Sequence, residues 1–173
     1  MADEGFLHRG MAGDPKEERP MARRPQRSIA VIHGPNLNLL GTRDPRVYGT
    51  ATLNAINAEI RRLAKQLGVR VTLEQHSGEG ELIDAVHRAA ARGSAIVINP
   101  GAYAHYSLAL RDALAAVGVP KTEVHLTNVH ARERFRRRSV TSAAVHGCVV
   151  GFGANSYLLA LRAAAAMLDD VKV

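Results

Sequence analysis

The sequence predicts an α/β fold: a doubly wound, five-stranded parallel sheet covered by helices on both faces. Three observations lead there. From residue 28 onward, short apolar runs of strand length alternate with stretches whose apolar residues recur every three or four positions. The side chains available for a core are Val, Ile, Leu and Ala, with few aromatics and no Trp, the usual material of layered α/β packing. The chain has 173 residues, enough for one domain with a proper core but short for two.

Taken in order, "SIAVIH" (28–33) is a buried strand. In "TLNAINAEIRRLAKQLG" (52–68), Leu53, Ile56, Ile60, Leu63 and Leu67 form one apolar stripe of a helix that Gly68 can terminate. "VRVTLEQ" (69–75) is a second strand, and "GELIDAVHRAAARG" (80–93) a second helix with Leu82, Ile83 and Val86 inward. "AIVIN" (95–99) and "SLALRDALAAVG" (107–118) are the third strand and helix. "TEVHL" (122–126) is a fourth strand, "GCVVGFG" (147–153) a fifth, and "NSYLLALRAAAAML" (155–168) the closing helix. The fourth crossover, 127–146, is irregular, with room for one short helical turn. Strands alternating with amphipathic helices imply right-handed βαβ units, and five strands fit a flavodoxin-like sheet.

Residues 1–27 differ from the rest. They are polar, rich in Gly, Pro and Arg, and nearly balanced in charge, with six basic and five acidic residues. No apolar stretch resembles a secretory signal, so this segment reads as a disordered extension, and 28–173 as the single domain. The lone cysteine, Cys148, excludes an internal disulfide and fits a reducing cytoplasm. No apolar run approaches the ~20 residues of a membrane span.

The formal net charge of +7 is concentrated in places: "ARERFRRRSV" (131–140) has five arginines against one glutamate. Phe135 is its one aromatic residue, no series on which bases could stack, so nucleic acid is not the expected partner. A solvated face or an anion-binding arginine accounts for the run. The eight histidines form no HExxH or CxxC-type pattern, so no metal is expected. "GFGANS" lacks the last glycine of a dinucleotide fingerprint and follows the last strand, where a packing turn is the simpler reading.

In doubly wound sheets ligands bind at the carboxyl ends of the strands, and polar residues collect there. The first strand leads into Asn36, Arg43 and Tyr48, the third ends in Asn99 and leads to His105, and the fourth carries Glu123, His125 and Thr127. Glu123 and His125, two apart on a strand, share a face, so the carboxylate can set the imidazole tautomer or hold its charged form. Either residue alone would be an ordinary strand-end polar group. Asn99 would be costly after an apolar strand unless its amide were satisfied; it is a turn stabiliser or a ligand group. His105 is a ligand group or a cap for the next helix. A phenol near pKa ~10 is a poor base at neutral pH, but a nearby guanidinium favours the phenolate, and the glycine-bounded segment 34–49 could close such a pair over a substrate. Tyr48 is otherwise a surface tyrosine.

"GPNLNLLGTRDPRVYG", "INPGAYAHYSLALRDAL", "EVHLTNVHARERFRRRS" and "GFGANSYLLALRA" together resemble the type II 3-dehydroquinate dehydratases, over about residues 28–168. The resemblance implies a flavodoxin-like fold and the dehydration of 3-dehydroquinate to 3-dehydroshikimate in the shikimate pathway, without metal or cofactor. It makes Tyr48 the base that takes a proton from the carbon beside the ketone. Arg43 becomes its activator, Asn36 the holder of a water at the enolate oxygen, and His125 the acid that protonates the departing hydroxyl, supported by Glu123 and Asn99. Asn99, His105, Asp112 and Arg136 match substrate contacts. The Leu126 and Thr127 amides, with the Thr127 hydroxyl, match a carboxylate site. The family pattern also implies a homododecamer of four trimers. The same reaction would serve quinate breakdown, and a non-enzymatic binding module on this fold is the rival class. Departures from the pattern are His33 for the usual Asn, Asp44 for Glu, Thr127 for Ser, "QHSGEGELID" for "QSNHEGELID", and Tyr106 for a Thr, a bulk that could crowd the pocket.

Overall fold

The computed structural model describes residues 27–42 and 50–170. Five strands, β1 (Ser28–His33), β2 (Arg70–Gln75), β3 (Ala95–Asn99), β4 (Lys121–His125) and β5 (Gly147–Val150), form one parallel sheet in the order β2-β1-β3-β4-β5. This is the flavodoxin-like order, whose switch point lies between β1 and β3. The predicted extension lies outside the described residues up to position 26. Arg27 is tied to the domain: its guanidinium donates to the carbonyls of Leu67 and Ala165 and pairs with Asp169 at 2.8 Å.

Four helices cover the sheet: α1 (Leu53–Leu67), α2 (Glu79–Ala91), α3 (Leu108–Ala116) and α4 (Asn155–Asp170). Local chemistry sets their ends. The Thr52 hydroxyl accepts from the Ala55 amide at 3.1 Å, and Gly68, at φ 64°, supplies the left-handed residue that stops α1. Ser107 caps α3 by accepting from Leu110 N–H at 2.9 Å. That assigns the cap to Ser107 rather than His105.

Strand alternation divides the core. Ile29, Val31, Val97 and Val124 face α1 and α4, meeting Ile60, Leu63 and Leu161. Ile32, Ile96 and Ile98 face α2 and α3, meeting Leu82, Val86, Leu110 and Leu114. Each such fully buried side chain contributes roughly 1.5–3 kcal/mol of burial free energy, which fixes strand register strongly. The crossover from β4 to β5 carries three 3₁₀ turns, Val129–Ala131, Arg134–Arg136 and Ser142–Ala144, where one turn was expected. Two further 3₁₀ turns, Leu37–Leu39 and Gly101–His105, follow β1 and β3; neither has a periodic apolar signature. Among the described residues no helix is long and apolar enough to cross a membrane.

Candidate active site

The carboxyl ends of β1, β3 and β4 enclose a cavity of about 100 Å³. Side chains reach it from both faces of the sheet. His33 and Asn99 continue the parity of Val31 and Val97, toward α1 and α4, whereas Glu123 and His125 alternate with Val124 and point the other way. The cavity thus sits over the sheet's edge and is lined by Asn36, Asn99, His105, His125, Thr127 and Arg136, among others.

The β1 end is built for close approach. Gly34 N–H donates to the Asn99 carbonyl at 2.8 Å, and a Cβ on Gly34 would lie 2.7 Å from the Pro100 carbonyl group, so only glycine fits. Two residues on, Asn36 adopts φ 66°, a left-handed conformation that asparagine tolerates better than most side chains. Its side chain makes no capping bond to the turn that follows, leaving the amide available to the cavity.

On β4, His125 Nε2–H donates to Glu123 Oε1 at 2.8 Å. The same oxygen accepts from the Ser139 hydroxyl at 2.8 Å, and Oε2 accepts from Thr141 at 2.6 Å. Glu123 is only 1% exposed. Burial by itself raises its pKa, but the hydrogen bonds from His125, Thr141 and Ser139 and the attraction of His125 prevail and hold the carboxyl below its ordinary range. Glu123 is therefore a buried carboxylate, and it fixes Nε2 of His125 as a donor. With Nε2 committed to Glu123, Nδ1 is the ring nitrogen of His125 left to meet a ligand in the cavity.

His105 stacks beside His125, with ring centroids 6.2 Å apart and planes 18° apart. Its Nδ1–H donates to the Arg138 carbonyl at 2.9 Å, leaving Nε2 as an acceptor. Burial lowers its pKa, and the charges of His125 and Arg136 add to that lowering. Leu126 and Thr127 line the floor at the end of β4, and the Thr127 hydroxyl accepts from Arg132 at 3.3 Å. Glu133 lies 3.1 Å from Arg132 Nε and 3.2 Å from Arg136 Nε, which steadies both guanidinium groups at the rim. The basic run thus lines one edge of the cavity with positive charge.

Of the residues singled out in the sequence, Asn36, Asn99, His105, His125, Leu126, Thr127 and Arg136 meet at this cavity, with Glu123 directly behind His125. Arg43, Tyr48 and Asp44 lie outside the described residues. Asp112 is not brought to the cavity; its side chain is 77% exposed on α3, with the Arg111 guanidinium 3.9 Å away. Tyr106 does not crowd the pocket: it is 62% exposed and packs beside Tyr103. Arg132, Ser139 and Thr141 were not singled out. Arg132 is one of five arginines in a single run, and the two hydroxyls come from an irregular crossover whose path no periodicity predicts.

Fold and site together define a doubly wound α/β protein with a cation-rimmed pocket equipped to move protons at a small polar substrate. Comparison with known proteins narrows this. The profile of the family described as "Dehydroquinase class II" matches residues 27–165. A 3-dehydroquinate dehydratase of Pelotomaculum thermopropionicum is 55% identical over 139 residues, which is 80% of this chain and 96% of that protein. Another, from Hahella chejuensis, is 53% identical over 138 residues, 79% of this chain and 94% of that one. The crystal structure of a type II dehydroquinase from Butyrivibrio crossotus superposes with a TM-score of 0.79 at 42% identity, covering 80% of this chain and 97% of the other. The chain belongs to the class II dehydroquinase family.

Proposed function

We infer that the protein dehydrates 3-dehydroquinate to 3-dehydroshikimate, the shikimate-pathway step toward chorismate and the aromatic amino acids. The family match over residues 27–165 carries this reading, and the Glu123–His125 pair beside the cation-rimmed cavity supports it. Spectrophotometry of purified protein with 3-dehydroquinate tests it, because the product is a conjugated enone and the substrate is not. A rise in ultraviolet absorbance is expected; a flat trace at high enzyme concentration would exclude the activity.

In the proposed reaction Tyr48, as tyrosinate, takes a proton from the carbon beside the ketone, and the C–H electron pair moves onto the carbonyl oxygen to give an enolate. Arg43 favours the tyrosinate by its charge, and a water held by Asn36 donates to the enolate oxygen. The enolate then re-forms the ketone, a carbon–carbon double bond forms, and the bond to the hydroxyl breaks. His125 Nδ1–H gives its proton to that oxygen, which leaves as water, and Glu123 offsets the imidazolium charge beforehand. Asn99, His105 and Arg136 hold substrate hydroxyls, and Thr127 with the Leu126 and Thr127 amides holds the carboxylate.

No imine is needed. Of the four lysines, Lys65 is exposed on α1. Lys121 is buried at the opposite end of β4 from His125, its amine bonded to the Val117 carbonyl. Lys16 and Lys172 lie outside the described residues. Borohydride added with substrate should leave activity intact, and an adduct on any lysine by mass spectrometry would overturn the mechanism.

The assembly we propose is the homododecamer, in the cytoplasm. Asp112, exposed on α3 and away from its own cavity, would there be available to a neighbouring subunit's substrate. Residues 1–26 carry too little apolar surface to dock on a core. A chain beginning at Arg27, which retains the contacts of that arginine, should keep full turnover and a dodecamer mass by light scattering. Loss of either would assign the extension a part in the site or the assembly.

A further inference from the structure

Behind Asn99 lies a line of buried polar side chains that the reaction above does not use. His33 and Asn99 are register partners on β1 and β3 and share a sheet face, and Tyr157, in the first turn of α4, covers them with 0% exposure. His33 Nδ1 is 2.7 Å from the Tyr157 hydroxyl, and Nε2 is 2.9 Å from Asn57 Oδ1 on α1. The Tyr157 oxygen is also hydrogen-bonded by the Asn99 side chain.

One backbone group sets the direction of the whole line. Gly101 N–H can only donate, so the atom it meets at 3.2 Å is Asn99 Oδ1. The Asn99 amide nitrogen must then donate to the Tyr157 oxygen, Tyr157 O–H must donate to His33 Nδ1, and His33 Nε2–H must donate to Asn57. Every bond is satisfied in that order only if His33 is neutral. Burial ensures this by lowering its pKa to about 4, against a smaller upward effect of the Asn57 bond. Burial raises the pKa of the Tyr157 phenol, so it too stays protonated.

We propose that His33 and Tyr157 are positioning residues for Asn99: they commit one N–H of its amide to Tyr157 and leave the other as the hydrogen-bond donor offered to a substrate oxygen. The proposal rests on the functional reading above only for the identity of that substrate. An apolar pair such as Leu and Phe would fill the same volume without the cost of burying an imidazole and a phenol, so the arrangement has to be explained by what it orients.

The test is a double-mutant cycle with a structural arm. Tyr157→Phe should lower kcat/KM by on the order of 10- to 100-fold through loss of orientation. In an Asn99→Ala background the same change should cost nothing further, because the group it orients is gone. His33→Gln, whose oxygen can accept from Tyr157, should retain most activity, whereas His33→Leu should match Tyr157→Phe; these two decide the matter if Tyr157→Phe does not fold. Crystal structures of wild type and Tyr157→Phe provide the arm that needs no activity: the Asn99 amide should leave its bond to Gly101 or occupy two rotamers in the variant. An inactive wild type would sink the dehydratase reading, and the crystal structures would still decide the positioning. Penalties that multiply in the double variant, a Tyr157→Phe rate within twofold of wild type, or an unmoved Asn99 amide would each overturn the proposal.

Discussion

Tyr48→Phe should reduce turnover on the order of 10²–10⁴-fold, the scale of a lost general base, while substrate affinity changes little. Phe lacks only the hydroxyl, so if Tyr48 is the base no group remains to accept the proton from the carbon beside the ketone. Arg43→Gln separates charge from mere presence. If the guanidinium stabilises the tyrosinate electrostatically, its removal raises the phenol pKa. A base works deprotonated, so the rising, low-pH limb of kcat/KM moves to higher pH and alkaline buffer restores part of the rate. In Tyr48→Phe no buffer should restore it. A limb that stays in place in Arg43→Gln would assign the arginine to substrate binding, and an active Tyr48→Phe would transfer the base role elsewhere.

Glu123→Gln should be the second most damaging change, lowering kcat on the order of 10²-fold or more. The amide keeps the shape but removes the charge that would offset a protonated His125 in the proposed reaction, and its NH₂ group faces hydroxyls that now donate to the carboxylate. Stability should respond with a definite sign. The Glu123 pKa is depressed in the folded protein, so the unfolded chain binds more protons as pH falls through the carboxylate range. Its stabilising effect is full above the ordinary glutamate value of 4.5 and is lost as pH drops through the lower folded value. Chemical denaturation across that window should therefore show a steeper acid-side fall in wild type than in Glu123→Gln. Parallel curves would mean that the hydroxyl clamp contributes nothing to folding.

Much of this site is legible in the sequence alone. Strand-length apolar runs located the ends of β1, β3 and β4, and the doubly wound rule turned those ends into a site containing Asn36, Asn99, His105 and His125. Two-residue spacing was enough to pair Glu123 with His125. Spacing could not reach Ser139 and Thr141, 16 and 18 residues beyond Glu123, because three short 3₁₀ turns carry the chain back by a path with no repeat. His33 and Tyr157 were legible as core positions, but their partnership is a contact across 124 residues, set by how α4 crosses β1. Asp112 shows the reverse: the family pattern singles it out, while the fold of one chain leaves it facing solvent.

The alternation along β4 constrains how such a chain can change by descent. Exchanging one residue for another on this strand alters one side chain. Removing one between Lys121 and His125 would turn every later side chain to the opposite face, carrying the imidazole toward α4 and an aliphatic group into the place it now holds. Insertions and deletions are thus to be absorbed in the irregular stretch between β4 and β5, where no parity is kept. For this strand the count of residues is constrained as firmly as the identity of Glu123 and His125.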